Sequence, residues 1–296
     1  MEHIGATWRA PAKINLALHV TGRRPDGYHM IESLAVFTRF GDLITVRSAN
    51  EDSFSVSGPF ADKVPVDANL ILSARDALRS AFPAQCCSPV EIVLEKNLPV
   101  ASGLGGGSSD AAVVLRELTK LWSIPCTHSD LAQLGGQLGA DVPMCLSGKP
   151  LLASGIGETV LLVSDFPALG LVLVNPGIPV ATSNVFAALL DHNNEALPPL
   201  PSQLNFHTIR NWLEITRNDL EIPARIMQPV IGSVVKSLDR AGSAFTRMSG
   251  SGATCFGLFE SGNMAKRAAI SIRARNPGWF VAATRSLASE DVLRAA

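Results

Sequence analysis

The hydrophobic pattern opens with an alternation. Between Lys13 and Val20, the apolar Ile14, Leu16, Leu18 and Val20 fall on one side of a period-2 repeat, and Lys13 and Asn15 fall on the other. This predicts a strand that presents a cation and an amide together on one face. Further strand patterns lie at residues 42–47 and 90–94, and helical spacing at 69–82, 110–122 and 130–138. In the second of these helices Val114, Leu115, Leu118 and Leu121 share a face. Residues 169–174 read as a buried strand. A helix at 230–240, strands at 244–248 and 254–259, a helix at 264–275 and a strand at 279–284 follow it. From residue 169 onward the order is β-α-β-β-α-β, the signature of a ferredoxin-like sandwich. The stretch 191–203, with Pro198, Pro199 and Pro201, reads as a surface excursion. Two α+β halves with a cleft between them are expected, divided as 1–160 and 161–296, with the changeover somewhere in 155–164.

Composition narrows the function classes. With 296 residues, 47% hydrophobic and 17% charged, the chain has ample material for full cores and is not a disordered segment. Twenty-five basic residues against 26 acidic ones give a net charge of −1, so there is no electrostatic case for nucleic acid. The longest apolar run, residues 166–174, is about half of what a bilayer needs, and no secretory signal precedes Lys13. Cys86, Cys87, Cys126, Cys145 and Cys255 show no C-x2-C spacing and read as reduced packing residues, consistent with a cytoplasmic protein. No protein partner and no membrane are implied.

The chemistry concentrates at Pro99-Val100-Ala101-Ser102-Gly103-Leu104-Gly105-Gly106-Gly107-Ser108-Ser109. A loop this poor in side chains lets backbone N–H groups approach an anion, and the helix that follows adds its positive dipole end. Two familiar phosphate loops do not fit. No lysine lies between Pro99 and Asp110, which excludes Walker A, and the third glycine of a dinucleotide fingerprint falls too early. A flexible surface turn would also be rich in glycine, but this one sits between a strand pattern and a helix pattern.

These residues resemble the phosphate loop of the GHMP kinases, the galacto-, homoserine, mevalonate and phosphomevalonate kinases. Two further segments agree: Pro11-Ala12-Lys13-Ile14-Asn15-Leu16 is similar to the family's first motif, and Met248-Ser249-Gly250-Ser251-Gly252-Ala253 to its third. The order and spread of the three motifs cover most of the chain. The family often has more glycine where this chain has Ala101-Ser102. The segment from Thr21 to Ser33, including Asp26-Gly27-Tyr28-His29, resembles a branch acting on a cytidine-diphosphate-linked methylerythritol in the non-mevalonate isoprenoid pathway. Gly139-Ala140-Asp141-Val142-Pro143 and Arg217-Asn218-Asp219-Leu220-Glu221 look like the same branch.

The resemblance implies an ATP-dependent kinase with a two-domain GHMP fold. Its N-terminal, ATP-binding half is of the ribosomal protein S5 domain 2-like type, and its C-terminal half is ferredoxin-like. It implies that Pro99 to Ser109 cradle the nucleotide, with Asn69 and Lys96 near the adenosine, and that Mg²⁺ accompanies ATP. Ser108 or Ser109 then lies within reach of the ion or a phosphate; no dedicated carboxylate cage is visible, and no metal ligand is assigned. Lys13 and Asp141 are the implied catalytic pair, with Asn15 beside the substrate. Tyr28, the chain's only tyrosine, His29 and Phe186 are implied to hold the cytosine by stacking and hydrogen bonding.

Each residue also has a plainer reading. Lys13 and Asn15 suit a solvated strand face. Asp141 follows a helical pattern in a short loop, where an acid is ordinarily a turn or cap residue and Pro143 holds Val142 extended. Tyr28 and Phe186 suit ordinary packing. His3, His19, His128, His192 and His207 have no metal or triad spacing. A homoserine or mevalonate-type kinase, or a non-catalytic nucleotide-binding relative, shares the loops; the Gly22 to His29 segment favours a nucleobase.

Overall fold

Two sheets stand face to face, with helices on both outer sides. In the computed structural model, which describes residues 6–65, 69–86 and 88–291, the first sheet opens with two long antiparallel strands. These are β1 (Thr7–Arg23) and β2 (His29–Ser48), paired from Thr7 opposite Thr45 to Arg23 opposite His29. Then come β3 (Ser53–Ser57), α1 (Leu70–Ala81), β4 (Val90–Glu95), α2 (Gly106–Leu121), α3 (His128–Leu138) and α4 (Val142–Ser147). β5 (Leu151–Ser154) and β6 (Thr159–Leu162) complete a sheet of order β3-β4-β2-β5-β6, with β1 on β2.

The second half runs β7 (Gly170–Asn175), α5 (Thr182–Ala187), α6 (Phe206–Glu214), α7 (Glu221–Met227), α8 (Val230–Arg240), β8 (Phe245–Met248), β9 (Cys255–Phe259), α9 (Gly262–Arg275) and β10 (Phe280–Arg285). Its sheet has the order β10-β7-β9-β8, every pair antiparallel. This is the expected ferredoxin-like arrangement, with α5, α6 and α7 added between β7 and α8. The division expected at residue 160 falls within β6: the first sheet ends at Leu162 and the second begins at Gly170.

Alternation explains the layering. On β2, Ala35 and Phe37 enter a cluster with α1 and α2, while Leu34 and Val36 turn to the opposite face. On β7, Val172 and Val174 pack toward α8 and α9, and Leu171 and Leu173 meet β1 and β2. A strand buried on both faces needs no polar positions, hence the unbroken apolar run at 169–174. Burying side chains such as Leu34, Val36, Leu171 and Phe256 between the sheets stabilises the fold by roughly 1.5–3 kcal/mol apiece.

Three local features differ from the sequence expectation. β1 does not keep one apolar face: its pairing shifts between Asn15 and Ala17. The bulge flips parity, so Ile14 and Leu16 join the inter-sheet cluster while Leu18 and Val20 join the α8/α9 cluster. Helix α2 starts at Gly106 rather than Asp110, inside the glycine loop. Val142 is helical, not extended, because Pro143 occupies the first turn of α4, where its missing N–H costs no hydrogen bond.

Candidate active site

A cleft of about 1090 Å³ runs between the glycine loop, β1, the start of β2 and helix α5. Its floor is the loop itself. Gly105 takes φ +61° as the residue before α2 and offers no capping side chain. The first intrahelical bond runs from Ser109 N to Gly105 O at 2.9 Å, which leaves the N–H groups of Gly106, Gly107 and Ser108 for a ligand. All three residues line the cleft, at the positive end of a sixteen-residue helix.

The second glycine turn locks onto the first. Gly103, at φ +76°, would place a Cβ 2.4 Å from the Ser249 carbonyl oxygen, an approach only glycine allows. Ser249 Oγ donates to Gly103 O at 3.0 Å, and Thr254 N to Ser102 O at 3.1 Å. Beneath, Asn218 Nδ2 donates to Met248 O at 2.9 Å and Gly250 O at 2.8 Å, and Glu221 accepts from Met248 N. Residues 217–221 thus hold up the third motif.

Lys13 and Asp141 meet at this floor. Lys13, 4% exposed, sets Nζ 2.7 Å from Asp141 Oδ2. Asp141 precedes α4, yet its side chain makes no capping bond. Its carboxylate goes to the lysine instead, and neither the capping role nor a solvated strand face describes the pair. Asn15 lies two residues along; its amide donates to Ser33 Oγ at 2.7 Å, and it also lines the cleft.

Lys96 and Asn69 line the far end. Asn69 caps α1 through Ile71 N at 2.9 Å. Lys96 is buried between Asp42 (2.6 Å) and Asp110 (2.7 Å). Burial alone would lower the ammonium pKa, but the two carboxylates outweigh it and hold it above its ordinary value. One cation cannot keep both acids ionised. Asp42 also accepts two backbone N–H groups, from Asn97 and Leu98. Asp110, with Oδ1 unpartnered, is pushed by burial up to about 8.

At the other end the imidazole of His29 stacks on Phe186, with centroids 4.8 Å apart and planes 25° apart. Tyr28 stands beside them, 59% exposed, and lines the cleft. His29 Nε2 lies 3.1 Å from Nδ1 of His192, a residue that sequence spacing left unassigned. Two loop residues expected at the nucleotide are turned away. Leu104 is buried between the sheets and gives only its carbonyl, to Lys13 N at 2.8 Å; the Ser109 hydroxyl is buried and unpartnered. Pro99, Val100, Ala101, Ser102 and Ser108 line the cleft.

Elsewhere, His19 is buried with both ring nitrogens used: Nδ1 bonds Glu195 O at 2.8 Å and Nε2 accepts from Arg217 N at 3.1 Å. Cys126, Cys145 and Cys255 are free thiols. His3 and Cys87 lie outside the described residues.

Comparison with known proteins agrees with this geometry. Residues 69–149 match the GHMP kinases N terminal domain, and residues 202–277 match the GHMP kinases C terminal domain. A 4-diphosphocytidyl-2-C-methyl-D-erythritol kinase of Mesorhizobium japonicum is 64% identical over 285 residues, covering 96% of this chain and 97% of that protein. Its counterpart in Chelativorans sp. is 55% identical over 280 residues, covering 95% and 96%. A crystal structure of 4-(cytidine 5'-diphospho)-2C-methyl-D-erythritol kinase superposes with a TM-score of 0.78 at 33% identity, over 95% of this chain and 99% of that one. Homoserine kinase from Cytophaga hutchinsonii, at 17% identity and a TM-score of 0.69 over 97% and 95%, shares the fold.

Proposed function

Because the chain belongs to the GHMP kinases, among the 4-diphosphocytidyl-2-C-methyl-D-erythritol kinases, we propose that it moves the γ-phosphoryl group of ATP onto the 2-hydroxyl of 4-diphosphocytidyl-2-C-methyl-D-erythritol. The observation that carries this reading is the Lys13–Asp141 contact of 2.7 Å on the wall of one cleft shared with the glycine loop and the His29–Phe186 stack.

Each part of the cleft has a task. The N–H groups of Gly106 to Ser108 hold the nucleotide's phosphates, with Lys96 and Asn69 toward the adenosine. Lys13 pairs with Asp141 at 2.7 Å and adds positive charge where the phosphoryl group passes. Asp141 accepts the hydroxyl proton as the oxygen attacks phosphorus. Phosphoryl transfer asks mainly for positioning and charge neutralisation, which an ammonium–carboxylate pair beside a helix start supplies. Tyr28, His29 and Phe186 grip the cytosine, and Asn15 orients the erythritol end.

Mg²⁺ is proposed to arrive with ATP, where it neutralises charge on the transferring group. Among the described residues no cluster of three or more His, Cys, Asp or Glu is placed to hold a metal. Ser108, which lines the cleft at the start of α2, carries a hydroxyl oxygen, a hard donor that suits the ion.

No helix among the described residues is long and apolar enough to cross a membrane. The free thiols agree with a reducing, cytoplasmic setting. An ATP-consumption assay on the purified protein with the cytidyl substrate, homoserine and mevalonate tests the assignment. Turnover confined to the cytidyl compound is expected; turnover with either small acid alone would overturn it.

A further inference from the structure

The stretch 191–203 was legible in the sequence only as an excursion, yet it is tied down beside the cleft. Asn194 N donates to Val20 O at 3.1 Å, and Leu197 N donates to Glu32 Oε2 at 2.8 Å. Glu195 O takes bonds from His19 and from Arg217, each at 2.8 Å. These bonds begin two residues after His192, so its imidazole is delivered by an anchored backbone.

We propose that His192 is a positioning residue that fixes the proton on His29 and thereby lets the cleft prefer cytosine over uracil. The inference rests on the cytidyl reading above. His29 Nε2 and His192 Nδ1 are 3.1 Å apart, so one proton lies between them. Burial, then the second imidazole and Arg23, all lower the His29 pKa, which keeps that ring neutral. A neutral imidazole carries one proton, and what one nitrogen does dictates the role of the other.

For two neutral rings, only two arrangements satisfy the contact. In one, both rings hold their proton on Nε2, the form a free neutral imidazole prefers, and His29 donates to His192. In the other, both rings must adopt the less favoured Nδ1–H form. The first arrangement therefore holds, and it leaves His29 Nδ1 as an acceptor. On the pairing edge of cytosine the exocyclic amine is the only hydrogen-bond donor, and uracil has a carbonyl in its place. An acceptor there binds the amine and repels the carbonyl. Stacking on Phe186 fixes the ring plane, and His192 fixes which nitrogen bears the hydrogen.

The test combines ring-nitrogen NMR with steady-state kinetics on the cytidyl substrate and its uridyl analogue. In the wild-type protein His29 should show an unprotonated Nδ1, and in His192→Ala a mixture of tautomers. His192→Ala should raise KM for the cytidyl substrate about tenfold, lower kcat less than about threefold and cut the cytidyl preference in kcat/KM about tenfold. His192→Asn, whose side-chain oxygen can accept in the place of Nδ1, should recover most of that preference. A protonated Nδ1 in the wild type would overturn the proposal. So would an unchanged preference in His192→Ala, or an equal loss on both substrates. A wild-type protein inactive on the cytidyl substrate would instead defeat the functional reading on which it rests.

Discussion

Lys13 Nζ and Asp141 Oδ2 are 2.7 Å apart although 128 positions separate them, and the lysine is nearly sealed from solvent while the aspartate side chain is 38% exposed. The buried partner orients and the open one can meet a hydroxyl. Asp141→Asn keeps the shape but removes the carboxylate proposed as the base. It should lower kcat by about 10²–10⁴-fold while the ATP dissociation constant stays near wild type. Calorimetric titration beside single-turnover kinetics checks this, and near-normal turnover removes Asp141 as the proton acceptor.

Gly105 tests the loop. A Cβ there would lie 3.2 Å from both Cβ and Cε of Lys13, on a backbone at φ +61°. Gly105→Ala should lose about 1–2 kcal/mol of stability from the left-handed backbone and weaken ATP binding by displacing Lys13. Gly262→Ala has open space around it and serves as the control, with little expected change in either quantity. Denaturant melts and nucleotide titration separate the two effects.

Ala101 offers the opposite experiment. It holds φ +50° at the start of the phosphate loop, a region that suits glycine. Ala101→Gly should relieve that strain and raise stability by about 0.5–1 kcal/mol, after allowance for the looser unfolded chain. A lower melting temperature would show that the surroundings favour the methyl group.

Asp110 makes stability depend on pH. Burial raises its folded pKa to about 8, above its ordinary carboxyl value of 3.8, so the folded state favours the protonated form. The contribution is complete below about pH 4 and is lost as pH climbs through 8. Asp110→Asn keeps an oxygen for Lys96 and has no proton to lose. Without nucleotide or divalent cations, its melting temperature should gain on wild type steadily from pH 4 to 8 and level off above. A constant difference would show that Asp110 is ionised throughout.

What could be read in the chain follows from how local the signal is. The glycine loop declares itself because its function needs absent side chains over adjacent positions. The β-α-β-β-α-β order emerged because β7 and β9 are buried on both faces and read as apolar runs. Lys13 and Asn15 were correctly paired because no irregularity lies between them, whereas the shift just beyond Asn15 sent Leu18 to a different cluster from Ile14. Nothing in the residue types announces that bulge. The glycines of α2 hid its true start, since they score as loop even when their backbone is helical. Pro143 was misjudged because a proline in a first turn and a proline in a loop look alike in sequence.

The remaining gaps are long-range. His192 reaches His29 across 163 positions, and Asp42 reaches Lys96 across 54. The first contact depends on the 191–203 segment docking beside β1 and the second on β2 pairing with β4, Leu43 opposite Glu95; a single sequence carries no pattern for either.

β1 has one more implication. Ala10, Ile14 and Leu18 of this single strand are rooted in three different clusters, and Leu18 also trades backbone bonds with Arg217 and Asp219 of the far half. A girder common to both lobes leaves no seam about which they can swing apart. Reactants must therefore enter a cleft that is already formed, and a distortion around Arg247, whose guanidinium grips the Leu16 carbonyl, would be felt at Lys13.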